Sequence, residues 1–363
     1  MTNNKVTIIN GDCLKVMRAL PENTIDSVLC DPPYGISFCG KNWDHGVPGP
    51  QFWEAALQVA KPGAFMLAFG GTRTYHRLMC NIEDSGWRIL DCLMWVHGMG
   101  FPKGLNISKA IDKKAGLKRE IIGINASQSK QHYRTCGQYN GEREITYFTD
   151  AVTDEAKHWD GYGTQLKPAW EPIVLCQKEL DGTFAENVLK WSTGALNIDK
   201  CRVPLNGDKT TRNITIGPQT GNVKFKTGEI TGSLDDRHKI GRYPANLITD
   251  QSDEVTELFP IADSGKGSAA RFFYAAKAST AERNYNGVNN DHPTVKPIKL
   301  LSYLARLITP PTGTILDPFA GSGSTGIAAN EEGFDAILID IDKHYCDLSK
   351  QRNNIVDDII IFN

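Results

Sequence analysis

The chain has 363 residues, 40% hydrophobic and 23% charged, with a formal net charge of −2. This composition is ordinary for a soluble globular protein and leaves room for one large domain with insertions or for two domains. It excludes binding to nucleic acid through overall charge, though a local basic surface would serve.

No apolar run approaches the roughly 18 residues of a membrane span, so none is predicted. The N-terminus, MTNNKVTIINGD, lacks the basic-then-apolar pattern of a signal peptide. The nine cysteines are scattered with no C-x-x-C pair, so neither a metal site nor a disulfide framework is expected. Reduced thiols and a cytoplasmic protein are the simplest reading.

Val6–Ile9 reads as a strand, followed by Asn10-Gly11-Asp12 and a helix over Cys13–Leu20 that Pro21 stops. Ile25–Cys30 is a buried strand. Phe52–Ala60 is an amphipathic helix, Ala64–Phe69 a strand, Thr74–Ser85 a helix and Ile89–Val96 a strand. This alternation predicts a parallel sheet with helices on both faces. It then stops: residues 98–168 are polar with short helical pieces such as Ile107–Ala115, and Ile173–Cys176 is one more strand. Residues 180–290 are again polar. Lys200, Arg202, Lys209, Arg212, Lys224, Lys226, Arg237, Lys239 and Arg242 cluster there against Asp208, Glu229, Asp235 and Asp236. A nucleic-acid surface and a solvated loop region explain that excess equally well. The alternation resumes with a helix over Ile298–Leu307, a strand Thr314–Asp317, a helix through Asn330, a strand Ala336–Ile339 ending in Asp340, and a closing helix Lys343–Arg352.

Two stretches carry chemistry. Asp31-Pro32-Pro33-Tyr34-Gly35 follows a strand directly, and its prolines fix the backbone and donate no N–H. An acid, a rigid bend and an aromatic ring are thus held together, which suits gripping a flat polar ring by edge and face. Gly321-x-Gly323-x-x-Gly326 lies between a strand and a helix, with an acid, Asp340, 19 residues after its first glycine. That pattern suits an adenosine-type cofactor, the acid accepting from ribose hydroxyls. A nicotinamide dehydrogenase competes. Against it, Asp317 at the mouth of the glycine loop would oppose the phosphates of a dinucleotide and suits the cationic amino-acid end of S-adenosylmethionine. The loop also sits near the C-terminus, whereas dehydrogenases of this type usually open on it.

With these residues in view, the chain resembles the β-class of S-adenosylmethionine-dependent DNA amino-methyltransferases, which act on adenine N6 or cytosine N4. Asp31-Pro32-Pro33-Tyr34 is similar to the catalytic motif. His292-Pro293-Thr294-Val295-Lys296-Pro297 is similar to the element preceding the cofactor strand, and Leu316-Asp317-Pro318-Phe319-Ala320-Gly321-Ser322-Gly323-Ser324-Thr325 to the cofactor loop. Gly100–Asn106 and Lys167–Pro172 look like stretches of phage- and prophage-associated members.

The resemblance implies a circularly permuted Rossmann-like methyltransferase sheet that begins with what is elsewhere its third strand, plus an inserted target-recognition region. Termini of compact domains often lie close together, so permutation is physically cheap. The expected division is 1–112 and 169–180 for the catalytic part, 113–168 as an insertion facing DNA, 181–290 for target recognition outside the sheet, and 291–363 for cofactor binding. Asp12, Asp31, Asp317 and Asp340 would then share the carboxyl rim where open sheets bind ligands.

The resemblance further implies the cofactor S-adenosyl-L-methionine, a DNA substrate and no membrane. It allows a homodimer and leaves a restriction enzyme partner unknown. Its catalytic residues would be Asp31, Pro32, Pro33 and Tyr34. Its cofactor residues would be Asp12, Cys13, Thr294, Lys296, Asp317, Phe319, Ala320, Gly321, Ser322, Gly323 and Asp340, with Asp342 the runner-up for the ribose and Trp95 either flanking the base or in the core. His97 receives no role. Asp at the first motif position is more typical of N6 enzymes and Ser of N4-cytosine enzymes. A cytosine C5 enzyme would need a nucleophilic Cys, typically after proline, and none of the cysteines follows one. A DNA-binding protein without activity is disfavoured because the motifs are intact.

Overall fold

The structure, a computed structural model, describes residues 4–37, 44–98, 104–124, 147–205, 241–261, 268–276 and 280–362. Most of the basic cluster, Lys209 to Lys239, and Gly100 to Lys103 lie outside the described residues.

The strands, in chain order, are β1 (Val6–Asn10), β2 (Ile25–Cys30), β3 (Ala60–Phe69), β4 (Arg88–Val96), β5 (Ile121–Ile124), β6 (Tyr147–Thr149), β7 (Trp170–Gln177), β8 (Leu247–Thr249), β9 (Tyr274–Ala275), β10 (Thr314–Asp317), β11 (Asp335–Asp340) and β12 (Ile360–Ile361). All but β5 and β6 form one sheet in the order β12-β1-β11-β10-β2-β3-β7-β4-β8-β9. The permuted order is visible in the pairing. β1 lies parallel to β11 in unbroken register from Val6–Ala336 to Asn10–Asp340. β10 lies between β11 and β2. From β10 the chain runs to one side through β11, while β2 and β3 fill the other. The carboxyl ends of β10 and β2 therefore flank a topological switch point, where a crevice opens.

The expectation of a wholly parallel sheet needs one correction: β7 is antiparallel to both β3 and β4. The chain leaves β4 at the carboxyl rim and enters β7 from that same rim, so β7 runs back. Its burial on both faces hid its direction from the sequence pattern. The stretch 181–290, expected outside the sheet, also contributes β8 and β9 to its edge. Strands of three and two residues are too short to show a period.

Alternate residues of the central strands feed two cores. Leu29, Leu67 and Ile315 face one, with Leu300, Leu301, Leu304 and Leu307 of the helix Ile298–Ile308. Val28, Met66 and Leu316 face the other, with Met17 and Trp53 from the helices Cys13–Ala19 and Pro50–Val59. Fully burying each such side chain contributes about 1.5–3 kcal/mol. The helices thus cover both faces and leave the rim of strand ends for the site. Tyr274 of β9 stacks on Tyr303 at 3.7 Å between ring centroids and so packs against the core. Among the described residues, no helix is long and apolar enough to cross a membrane.

Candidate active site

Asp31 follows β2 at the switch point. Its loop is tied from within: Asp44, itself buried, accepts from Gly35 N at 2.7 Å and Ile36 N at 3.3 Å. Gly35 has φ +66°, and a Cβ there would stand 2.8 Å from Val47 N, so glycine is required for the turn. Thr74 Oγ1 donates to the Tyr34 carbonyl at 2.6 Å, anchoring the loop to the start of the helix Tyr75–Asp84.

The Asp31 carboxylate is asymmetric. Oδ2 accepts from Lys296 Nζ at 2.6 Å, whereas Oδ1 is buried with no partner. Lys296 also donates to Tyr34 Oη at 3.1 Å and lies 3.3 Å from Glu171 Oε2. Tyr34 Oη donates in turn to Glu171 Oε2 at 2.9 Å. His97, at the end of β4, brings Nε2 to 3.6 Å from Glu171 Oε1. Burial raises the Asp31 carboxyl above its ordinary value against the pull of Lys296. Burial opposes the Lys296 charge, but Asp31 and Glu171 outweigh it and hold the ammonium above the usual lysine value. Burial lowers the His97 imidazole against the pull of Glu171 and Asp250.

Across the switch point, the glycine loop is built around two acids. Asp317 Oδ1 accepts from Phe319 N at 3.0 Å and Oδ2 from Thr325 Oγ1 at 2.6 Å. Burial, assisted by Asp31 and Asp340, raises its carboxyl to about 7 despite those hydrogen bonds. Asp340 accepts from Gly321 N through Oδ2 and from Asp342 N through Oδ1, both at 2.8 Å, and burial raises it to about 6. Ser322 is held by Asn290 Nδ2 at 2.9 Å on Oγ and by Arg352 Nη1 at 2.6 Å on its carbonyl. Arg352 is fully buried. It also reaches Ser324 Oγ and the Glu282 carbonyl, and burial lowers it to about 10.

A cavity of about 600 Å³ joins the two halves. Every residue predicted for the site lines it except Gly323. Gly323 starts the helix Ser324–Glu332 at φ +78°, and a Cβ there would collide with Ser349 Oγ, so it serves helix packing. Asp12 caps the helix Cys13–Ala19 through Oδ1 alone, from Leu14 N at 2.9 Å and Lys15 N at 3.3 Å. Burial pushes the Cys13 thiol up to about 12. Thr294 N donates to His292 Nδ1 at 3.3 Å. Asp342 caps the helix Lys343–Arg352, accepting from His344 N at 2.9 Å. Trp95 is buried in the core and also borders the cavity. The ammonium of Lys296 faces Asp31, Tyr34 and Glu171.

The sequence assigned no role to Glu171, His97, Asn290, His292 or Arg352; Glu171, His97 and His292 line the cavity, and Asn290 and Arg352 hold Ser322. Glu171 stood inside the quoted Lys167–Pro172 stretch; no pattern marked Asn290 or Arg352, which act on the loop from other elements.

The family described as DNA methylase, of the N6/N4 type, matches residues 25–351. The chain belongs to that family. S-adenosyl-L-methionine is the methyl donor of this DNA methylase. It is 20% identical to the type II methyltransferase M.HindIII of Haemophilus influenzae, over 89% of this chain and 87% of that protein. It is 44% identical to YubD of Escherichia coli K12, a methylase by name, over 68 residues; that match covers 19% of this chain and 30% of YubD. Among solved structures it resembles the cytosine-N4-specific PvuII DNA methyltransferase, with a TM-score of 0.48, 15% identity, 99% of this chain and 89% of that one. The complex of M1.HpyAVI with S-adenosylmethionine gives a TM-score of 0.46, 15% identity, 96% of this chain and all of that one.

Proposed function

We propose that this DNA methylase transfers a methyl group from S-adenosyl-L-methionine to the exocyclic N6 of an adenine flipped out of duplex DNA. The observation that carries the reading is the orphan Oδ1 of Asp31, a buried acceptor beside a cavity and across the switch point from a cofactor-type glycine loop. Buried polar atoms in folded proteins are nearly always paired, so an orphan at a cavity points to a ligand. The choice of adenine over cytosine rests on Asp at the first position of the Asp31–Tyr34 motif.

The residues fit the cofactor. Asp317 is a buried acid whose raised carboxyl would be relieved by a cationic amino group. Asp340 would hold the ribose hydroxyls. Asp12 keeps Oδ2 for the adenine amino group of the cofactor while Oδ1 caps its helix. Cys13, Thr294, Phe319, Ala320, Gly321 and Ser322 would complete the walls. When bound, the cofactor supplies an electrophilic sulfonium methyl.

The exocyclic amino group of a base is a poor nucleophile because its lone pair is delocalised into the ring. Asp31 Oδ1 and the Pro32 carbonyl would accept from its two N–H bonds and aim the lone pair, positioning that supplies much of the rate. Lys296 occupies Oδ2 and so leaves Oδ1 to the substrate. As the N–C bond forms, the surplus amino proton passes to Oδ1. Tyr34, its hydroxyl fixed by Glu171 and Lys296, offers its ring to the base, a stack worth roughly 1–3 kcal/mol. The base must leave the duplex to reach this site. Residues 113–168 and 181–290 would carry DNA contact and target recognition, in a cytoplasmic protein.

Expression in a host lacking DNA methylation, followed by single-molecule sequencing of its genome, tests the reading. N6-methyladenine in a defined sequence context is expected. N4-methylcytosine would move the enzyme to the other branch of its family, and an unmodified genome would remove the activity.

A further inference from the structure

Glu171 has no part in the reading so far beyond fixing a hydroxyl, yet its position is closely controlled. It is the second residue of β7, where Trp95 of β4 pairs with it. The backbone on either side is held by His97 N to the Ala169 carbonyl and Gly70 N to the Pro172 carbonyl, both at 2.9 Å. Its carboxylate comes to Lys296 alongside that of Asp31, which stands on β2. The three donors of the ammonium therefore face three acceptors: Asp31 Oδ2 at 2.6 Å, Tyr34 Oη at 3.1 Å and Glu171 Oε2 at 3.3 Å.

We infer that Glu171 is a positioning residue for methyl transfer: by sharing Lys296 with Asp31 it keeps the buried cluster one charge negative, so that Asp31 can take the proton the amino group must lose. The inference rests on the proposed function, in which Asp31 holds that group. Its charge balance is simple. Asp31, Glu171 and Lys296 begin at −1. The nitrogen gains the methyl as the sulfur–carbon bond breaks, and an N–H proton goes to Asp31 Oδ1. The cluster ends neutral. With a neutral residue at 171 it would begin neutral and end at +1, an uncompensated buried charge.

Other charges do not replace Glu171. Facing Asp31 are Lys296, Glu171 and Tyr34, with Asp317 and Cys30 near enough to interact. Facing Glu171 at the end of β4 is His97, whose imidazole burial lowers against Glu171 and Asp250 and which also feels Lys296 and Lys167. Glu171 raises the Asp31 carboxyl and Lys296 lowers it. Removing the Glu171 charge leaves Lys296 to Asp31 alone and makes Asp31 the weaker base.

The test is single-turnover methyl transfer by Glu171→Gln across pH, with cofactor binding followed by calorimetry. The transfer rate should fall about 10- to 100-fold, within the range that positioned acid–base groups contribute. The cofactor dissociation constant should stay within about twofold, as for an interaction felt only in the chemical step. The acid limb of the rate profile should move to lower pH, because a less basic Asp31 stays ionised further down. Glu171→Asp keeps the charge and should keep the wild-type limb. A wild-type rate in Glu171→Gln, a slowed rate with an unmoved limb, or an equal loss of cofactor binding would each overturn the inference. Asp31→Ala run alongside separates the two levels: if it still transfers methyl, the proposed function fails and Glu171 with it. If it is dead and Glu171→Gln is normal, only Glu171 falls.

Discussion

Lys296 Nζ lies 2.6 Å from Asp31 Oδ2, while the other oxygen of that carboxylate is buried without a partner. The two residues are 265 positions apart. One directly follows β2 and the other precedes the helix Ile298–Ile308. Their pairing divides the carboxylate into a structural oxygen and a free one.

Lys296→Met should remove the partner of Oδ2 and leave the largely buried Asp31 carboxylate uncompensated. Breaking such a pair costs about 3–5 kcal/mol, read as a lowered urea midpoint. Because Lys296 lowers the Asp31 carboxyl, its loss raises that carboxyl further. The acid limb of the transfer rate should then move to higher pH, opposite to the shift expected for Glu171→Gln.

Asp317 gives the cofactor-free protein a stability that depends on pH. Its carboxyl titrates at about 7 when folded and at about 3.9 when unfolded. The folded state therefore holds the proton more tightly. The resulting stabilisation is complete below the unfolded value and is lost as pH rises through about 7. Asp340, raised to about 6, adds a contribution of the same sign. Urea unfolding of the wild type should show a falling midpoint over that range, and Asp317→Asn a flatter one. The cationic end of the cofactor favours ionised Asp317, so cofactor binding measured by calorimetry should tighten with pH there, and Asp317→Asn should lose most of that dependence.

Asp340→Ala should weaken cofactor binding by about 1.5–3 kcal/mol, the scale of a hydrogen bond to a charged group. It also frees Gly321 N and Asp342 N. Asp340→Asn, which keeps an acceptor, should recover part of the loss. Unchanged affinity in both would move the ribose contact to Asp342.

Arg352→Met should cost about 3 kcal/mol, since charged donors to the Ser322 carbonyl and to two serine hydroxyls disappear from a fully buried position. The glycine loop rests on those bonds, so cofactor affinity should fall with stability. Urea unfolding and calorimetric titration read the two effects separately.

The sequence made the sheet legible wherever a strand was an apolar run bounded by turn or helix signals. Val6–Ile9, Ile25–Cys30 and Thr314–Asp317 announced themselves in that way, and the acids at or after their ends located the rim. The direction of β7 was not legible, because direction depends on which rim the chain re-enters. The edge strands Leu247–Thr249 and Tyr274–Ala275 were too short for any period. In the site, local features were visible: the Asp31 bend and the Asp317 glycine loop each lie within about ten residues. Glu171, Asn290 and Arg352 were not, because each acts on a residue far away in the chain, and one sequence carries no record of such pairings. Gly323, expected at the cofactor from its motif, also has a packing duty that the motif does not announce: a Cβ there would collide with Ser349 Oγ.

The most direct measurement uses purified protein, unmethylated DNA and methyl-labelled S-adenosylmethionine, followed by digestion to nucleosides and mass spectrometry. Wild type and Asp31→Ala are compared after both are shown to bind the cofactor. The account predicts labelled N6-methyladenine from the wild type and none from Asp31→Ala. Labelled N4-methylcytosine from the wild type, or N6-methyladenine formed by Asp31→Ala at the wild-type rate, would contradict it.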